Sequence, residues 1–315
     1  MSELQIILLS LLQGITEFLP VSSSGHLILF SKFTDFADQG IAMDVALHIG
    51  SIVAVMLYFW PTLWRIIRDL WLTKLYPNFK FAGNHLFYLL FFATIPALAA
   101  GLILKYFGTD WLRNTKLIGW NILLYGILLW FIDVWAVKVR TIKNLEIKDA
   151  LLIGLAQCLA LLPGTSRSGV TITMARFLGL ERREAAKFSM LLAIPTILAA
   201  GIVAAYGLWQ SGDIGQITNA LHAVAYSFIF SLAAIFIMMQ WLKKWSFWPF
   251  VLYRCILGSI LLLDAYGIYD IKILNTFWSY CACFFITRIG VWNGAEMLAI
   301  KTKLIFYYLQ KRKLS

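Results

Sequence analysis

The sequence predicts an all-α polytopic membrane protein, built as an inverted-topology repeat whose two re-entrant helical hairpins meet near the membrane midplane. Three observations carry this expectation. Of 315 residues, 61% belong to the hydrophobic set and only 14% are charged, against ~25% charged in a typical soluble domain. A soluble protein of this size cannot hide so much apolar surface, whereas a bilayer is itself apolar. Apolar runs of about 20 residues, the length that crosses the hydrocarbon, also recur along the chain. Finally, two other apolar segments are broken at their centres by similar clusters of Pro, Ser and Gly.

The first broken segment is 4–33. No basic stretch precedes Met1 to Leu12 and no small-residue cleavage site follows, so no cleavable signal is expected. Clear spans follow at 41–60, 86–104 and 117–136, then the second broken segment at 150–180, then spans at 188–207, 221–241 and 248–266. A weaker run covers 273–292. The net charge of +11 does not point to nucleic acid, because the Lys and Arg residues sit between apolar runs rather than on one basic face. Cys158, Cys255, Cys281 and Cys283 lie in apolar segments without a C-x-x-C pair and read as small buried hydrophobes.

Loop charge sets the expected orientation. Loop 61–85 carries Arg65, Arg68, Lys74 and Lys80, and loop 137–149 carries Lys138, Arg140, Lys143 and Lys148. Segment 176–187 carries Arg176, Arg182, Arg183 and Lys187, and loop 242–247 carries Lys243 and Lys244. Loops 34–40 and 208–220 carry neither residue, while loop 105–116, with Lys105, Arg113 and Lys116, is the exception. With basic loops in the cytoplasm, 150–180 must enter and leave on the cytoplasmic side, and 4–33 dips in from outside. The domain reading is a membrane unit over 1–266, with halves 1–136 and 150–266, and an extension over 267–315 that adds a span or an interfacial helix and a basic tail.

The two broken segments resemble each other: Phe18-Leu-Pro-Val-Ser-Ser-Ser-Gly-His26 and Leu161-Leu-Pro-Gly-Thr-Ser-Arg-Ser-Gly169. Aligning Pro20 with Pro163 places Ser22 on Thr165 and Ser23 on Ser166. A second echo pairs Ile95-Pro96 with Ile194-Pro195. Broken helices at mid-membrane bind ligands at their ends, and non-helical backbone at that depth must be covered by protein or line a wet cavity.

These turns hold the candidate chemistry. Glu17 lies in an apolar stretch with Gln13 four residues earlier, on the same helical face. A carboxylate at membrane depth is costly unless paired or solvated, and marks a functional site. His26, in the same hairpin, titrates in the range that suits acid–base or nucleophilic work. Ser22, Ser23 and Ser24 precede an apolar run, so they suit helix caps, and a capped N-terminus also presents N–H groups to phosphate. Gly164, Thr165, Ser166 and Ser168 repeat the arrangement around Arg167, whose guanidinium fork matches phosphate oxygens. Together they make an anion site with an acid–base partner, suited to phosphoryl chemistry on a lipid-linked phosphate.

Gln13-x-x-x-Glu17-Phe-Leu-Pro-Val-Ser-Ser-Ser-Gly-His26 and Pro163-Gly-Thr-Ser-Arg-Ser-Gly-Val-Thr171 resemble the signatures of the bacterial undecaprenyl-diphosphatase family, also called the bacitracin-resistance protein. Met43-Asp-Val-Ala-Leu-His-Ile-Gly-Ser-Ile-Val-Ala-Val55, Phe188-Ser-Met-Leu-Leu-Ala-Ile-Pro195 and Phe250-Val-Leu-Tyr-Arg-Cys255 also look like family segments. The resemblance implies removal of one phosphate from undecaprenyl diphosphate, regenerating the lipid carrier for peptidoglycan, in the bacterial inner membrane with the site open to the outer side. It implies a divalent cation, Mg²⁺ or Ca²⁺, with Glu17 as a ligand. It makes Glu17 the essential acid, Gln13 its partner, Arg167 the diphosphate clamp, and Ser23, His26 or water the nucleophile. Gln13, Ser22, Ser24, Gly164, Thr165, Ser166, Ser168 and Thr171 would line the substrate. The expected partners are the polyprenyl diphosphate and membrane lipids, with no nucleic acid and a homodimer left open. A flippase that moves polyprenyl phosphate without hydrolysis is the alternative, since transporters share this architecture.

Overall fold

The computed structural model describes residues 1–268 except 35, 108–111, 113, 137–138 and 212–213. The chain divides into a unit of Met1–Leu262 and one of Leu263–Ser315, and the architecture below is that of the first. The expected run at 273–292, its basic tail, Cys281 and Cys283 lie outside the described residues.

Among the described residues the protein is helical, with no strand beyond one isolated bridge between Arg140 and Leu180. In chain order the helices are α1 (Glu3–Thr16), α2 (Ser23–Phe33), α3 (Gly40–Tyr58), α4 (Trp60–Leu72), α5 (Ala82–Phe107) and α6 (Thr115–Trp135). They continue as α7 (Ile147–Cys158), α8 (Arg167–Phe177), α9 (Arg182–Ser211), α10 (Ile214–Trp241) and α11 (Trp248–Ala265). Segments Gly40–Tyr58, Ala82–Leu104, Thr115–Trp135, Gly215–Trp241 and Trp248–Ala265 are long and apolar enough to cross a membrane. The expected span 188–207 falls within α9, which starts earlier and carries Arg182, Arg183, Glu184 and Lys187 in its opening turns.

The broken segments are each two short helices. The 14 and 11 residues of α1 and α2 rise about 21 and 16 Å, short of the ~30 Å hydrocarbon. The 12 and 11 residues of α7 and α8 rise about 18 and 16 Å. Pro20 and Pro163, in the connecting turns, lack the N–H that a continuing helix would need. Each pair packs on itself; α1 then packs on α10, and α7 on α5. Gly154 of α7 shows how close that approach is, because a Cβ there would stand 2.4 Å from the Ala93 carbonyl of α5. Small residues at such contacts are what membrane helices use in place of a hydrophobic driving force.

Two details of the expected repeat are corrected. Ser22 and Ser166 both have left-handed backbones, φ 78° and 74°. Each caps the helix that follows through its own Oγ, accepting from Gly25 N at 3.4 Å and Gly169 N at 3.0 Å. Ser22 therefore matches Ser166, not Thr165. The second turn is one residue longer after its proline, and Gly164 absorbs the insertion at φ 89°. The same offset carries Ser23 to Arg167 and Ser24 to Ser168. The Ile-Pro echo falls on α5 and α9, which have different neighbours: α5 packs on α7 and α4, α9 on α3 and α8. It marks no correspondence between halves.

A buried cluster ties the ends of α6 and α8. Arg176, fully buried, donates to Asp133 Oδ1 at 2.9 Å and to the Leu180 carbonyl, and Arg182 donates to the same Asp133 oxygen at 2.9 Å. Two of the four cations counted for orientation in segment 176–187 thus have structural partners.

Candidate active site

Side chains from four helices converge on Glu17. It caps the C-terminus of α1, its N–H bonded to Gln13 O at 2.9 Å, and it is 5% exposed. Its Oε1 receives Arg167 Nη2 at 2.6 Å. Its Oε2 receives Ser23 Oγ at 2.6 Å and Gln13 Nε2 at 3.0 Å, and His48 Nε2 stands 3.3 Å away. Three donors and the His48 imidazole, from α1, α2, α3 and α8, therefore surround one carboxylate, which is how a charge at this depth is made tolerable.

Local structure places each donor. Gln13 lies one turn before Glu17 on α1; its Nε2 also reaches Ser51 Oγ at 3.5 Å, and its buried Oε1 has no partner. Ser23 and Arg167 are the first residues of α2 and α8, directly after the two left-handed serine caps. Both side chains thus emerge at helix N-termini, where backbone N–H groups and the positive end of the helix dipole favour an anion. Arg167 is fixed at its other edge by Nη1 to Ser189 O, 2.9 Å.

The remaining expected residues divide by what they touch. Ser22 and Ser166 are caps. Ser168 Oγ donates to Leu19 O at 3.0 Å, stitching the second turn to the first. Thr171 Oγ1 bonds Arg167 O at 2.8 Å and Ser189 Oγ at 2.7 Å, steadying α8 beneath Arg167. Gly164 serves the approach to α6: a Cβ there would meet Ile118 O at 2.5 Å. Thr165 is fully buried with Oγ1 unpartnered, and Ser24 is exposed.

The structure does not bring His26 to Glu17. Its Nδ1 stands 2.6 Å from Ser22 O, and its Nε2 2.6 Å from the Tyr253 hydroxyl of α11, on whose ring it stacks at 5.7 Å. A carbonyl can only accept, so Nδ1 carries the hydrogen and Nε2 is engaged by Tyr253. The pair borders an apolar cavity of about 550 Å³ walled by Leu12, Ile15, Phe30 and Phe250.

The imidazole beside Glu17 is His48, which sequence reasoning left without a role. Its Nδ1 lies 2.6 Å from Asp44 O, so that nitrogen donates. The Nε2 contact with Glu17 attracts when that nitrogen carries a hydrogen too. The available signal was an ionisable residue inside the apolar run 41–60.

The donor set does not form a cage for a divalent cation. Ca²⁺ and Mg²⁺ take six or more oxygens, whereas Glu17 has both oxygens occupied by donors, one of them a guanidinium. Among the described residues no three His, Cys, Asp or Glu side chains cluster.

Fold and site define a class: a polytopic membrane protein with a buried carboxylate–hydroxyl–guanidinium site assembled from two short-helix hairpins. Residues 6–260 match the family model described as bacitracin resistance protein BacA. The chain is 46% identical over 268 residues to a Roseobacter denitrificans protein named undecaprenyl-diphosphatase, covering 85% of this chain and 100% of that one. It is 45% identical over 268 residues to a Jannaschia relative of the same name, with the same coverage. It is 43% identical over 270 residues to undecaprenyl-diphosphatase 1 of Rhodospirillum rubrum, covering 84% and 95%. The chain belongs to the bacitracin resistance protein BacA family.

Proposed function

We propose that this protein hydrolyses undecaprenyl diphosphate to undecaprenyl phosphate and phosphate, regenerating the lipid carrier for peptidoglycan synthesis and so conferring bacitracin resistance. The carrying observation is the 2.6 Å bond from Ser23 Oγ to Glu17 Oε2, with Arg167 on the other carboxylate oxygen. A hydroxyl held on a carboxylate is a nucleophile beside its base. A guanidinium beside both is what a phosphoryl group in transfer requires.

In this reading the terminal phosphate sits between the N-termini of α2 and α8. Arg167 turns from Glu17 to the phosphate oxygens while Nη1 stays on Ser189 O. Ser23 Oγ attacks the terminal phosphorus, Glu17 takes the hydroxyl proton, and the bridging P–O bond breaks. Undecaprenyl phosphate leaves with that proton. Water then attacks the phosphoserine, Glu17 accepting its proton, and phosphate departs as Ser23 is restored. The Gln13 and His48 donors keep Oε2 pointed at Ser23. The isoprenoid chain lies in the apolar cavity beside His26 and Tyr253.

The same proposal places the chain in the bacterial plasma membrane, the hairpins entering from opposite faces and the site open outward. Loop-charge asymmetry and the matching serine caps support this. A flippase needs the phosphate cradle but has no use for a hydroxyl held on a carboxylate. The test is product analysis: purified protein with undecaprenyl diphosphate in detergent should release phosphate and undecaprenyl phosphate one to one, and Ser23→Ala should not. Intact diphosphate after incubation with folded wild type would overturn the proposal.

A further inference from the structure

Arg254, in the middle of α11, is fully buried, yet no carboxylate pairs with it among the described residues. All five of its guanidinium N–H positions are matched by backbone carbonyls. Nε donates to Ile122 O at 2.9 Å, Nη1 to Pro20 O and Thr165 O at 3.1 Å each, and Nη2 to Asn121 O at 3.0 Å and Gly164 O at 3.1 Å. These acceptors come from three segments: the turn of the first hairpin, the turn of the second, and α6.

The positions matter more than the count. Pro20 lies two residues before the Ser22 cap, and Thr165 is the residue before the Ser166 cap. Ser23 and Arg167 follow those caps directly. One rigid group therefore fixes the starting points of both helices that present side chains to Glu17. For packing alone an apolar residue serves as well, and a buried cation is costly. A planar fork of five donors in fixed directions sets the spacing of three chain segments, as an ammonium on a flexible stem does not. The neighbourhood is cut to fit: at Gly126 of α6 a Cβ would stand 2.9 Å from Arg254 Cβ and 3.2 Å from its Nε.

We propose that Arg254 is a positioning residue for the reaction, locking the two hairpin turns in the register that sets Ser23 and Arg167 on either side of Glu17. This rests on the diphosphatase reading. Loss of that register misplaces the attacking hydroxyl against the phosphate, and a misplacement of about 1 Å costs on the order of a hundredfold in rate. The effect belongs in kcat, because the groups that bind the phosphate are still present.

The test measures kcat and KM for undecaprenyl diphosphate in the full-length wild type, Arg254→Gln and Arg254→Lys, with thermal melting of each. Turnover by the wild type tests the diphosphatase reading, and the variants relative to it test this inference. Arg254→Gln is expected to lower kcat about a hundredfold with KM within about threefold, and Arg254→Lys to recover part of the loss. A folded Arg254→Gln with wild-type kcat would overturn the inference. So would a loss of rate that only follows the fraction folded. Should both variants fail to fold, Gly126→Ala decides, since it displaces the fork without removing it. It is expected to lower kcat about tenfold in a folded protein, and an unchanged kcat there overturns the inference.

Discussion

Replacing Arg167 with lysine keeps the positive charge and removes the fork. In the structure Arg167 works through two nitrogens at once, Nη2 on Glu17 Oε1 at 2.6 Å and Nη1 on Ser189 O at 2.9 Å. In the proposed reaction Nη1 stays anchored while Nη2 moves to the phosphate. A lysine ammonium cannot reproduce that planar pair of contacts, so the variant gives up one charge-assisted hydrogen bond in a buried site. Such a bond contributes about 1.5–3 kcal/mol, a loss of roughly ten- to a hundredfold in kcat/KM. Folding should be little affected, because a cation remains beside Glu17. Arg167→Met, by contrast, leaves Glu17 Oε1 without its guanidinium and should cost about 3 kcal/mol of stability. The assay is the initial rate of phosphate release from undecaprenyl diphosphate, with folded protein matched by size-exclusion chromatography. A lysine variant within twofold of wild type would refute the bidentate argument.

Two further perturbations test the shell around this pair. His48→Ala removes one donor from Glu17 Oε2 and should slow turnover about tenfold, while His48→Gln keeps an N–H in reach and should recover most of it. A wild-type rate in the alanine variant would remove His48 from the account. Gly164→Ala forces a side chain onto a φ of 89° and 2.5 Å from Ile118 O. It should destabilise the protein by about 2–4 kcal/mol, and an unchanged melting temperature would contradict that packing.

Much of the site was legible because its signals are local. Gln13 and Glu17 share a helix face by their spacing. Pro20 and Pro163 interrupt apolar runs too short on either side to cross a bilayer. Arg167 stands among small hydroxyl residues in a segment that is otherwise apolar. What escaped was set by contacts between distant parts of the chain. His26 reads as an acid–base candidate because it shares a hairpin with Glu17, nine residues away, but its ring bonds Tyr253, 227 residues on. His48 reaches Glu17 from another helix, and nothing in the run 41–60 says which way it faces. Arg254 binds carbonyls, which every residue has, so its acceptors leave no mark in the sequence. The one-residue slip in the repeat arose from anchoring on proline, whereas the shared geometry belongs to the left-handed serine caps.

The most direct test of the central claim compares wild type and Glu17→Ala, side by side in detergent, for phosphate release from undecaprenyl diphosphate with and without Mg²⁺. Thermal melting of both shows that the same folded protein is compared. The account predicts release by the wild type and none above background from the folded variant, in either condition. Release by Glu17→Ala at a rate near wild type would contradict it, because among the described residues the carboxylate in contact with Ser23 is that of Glu17.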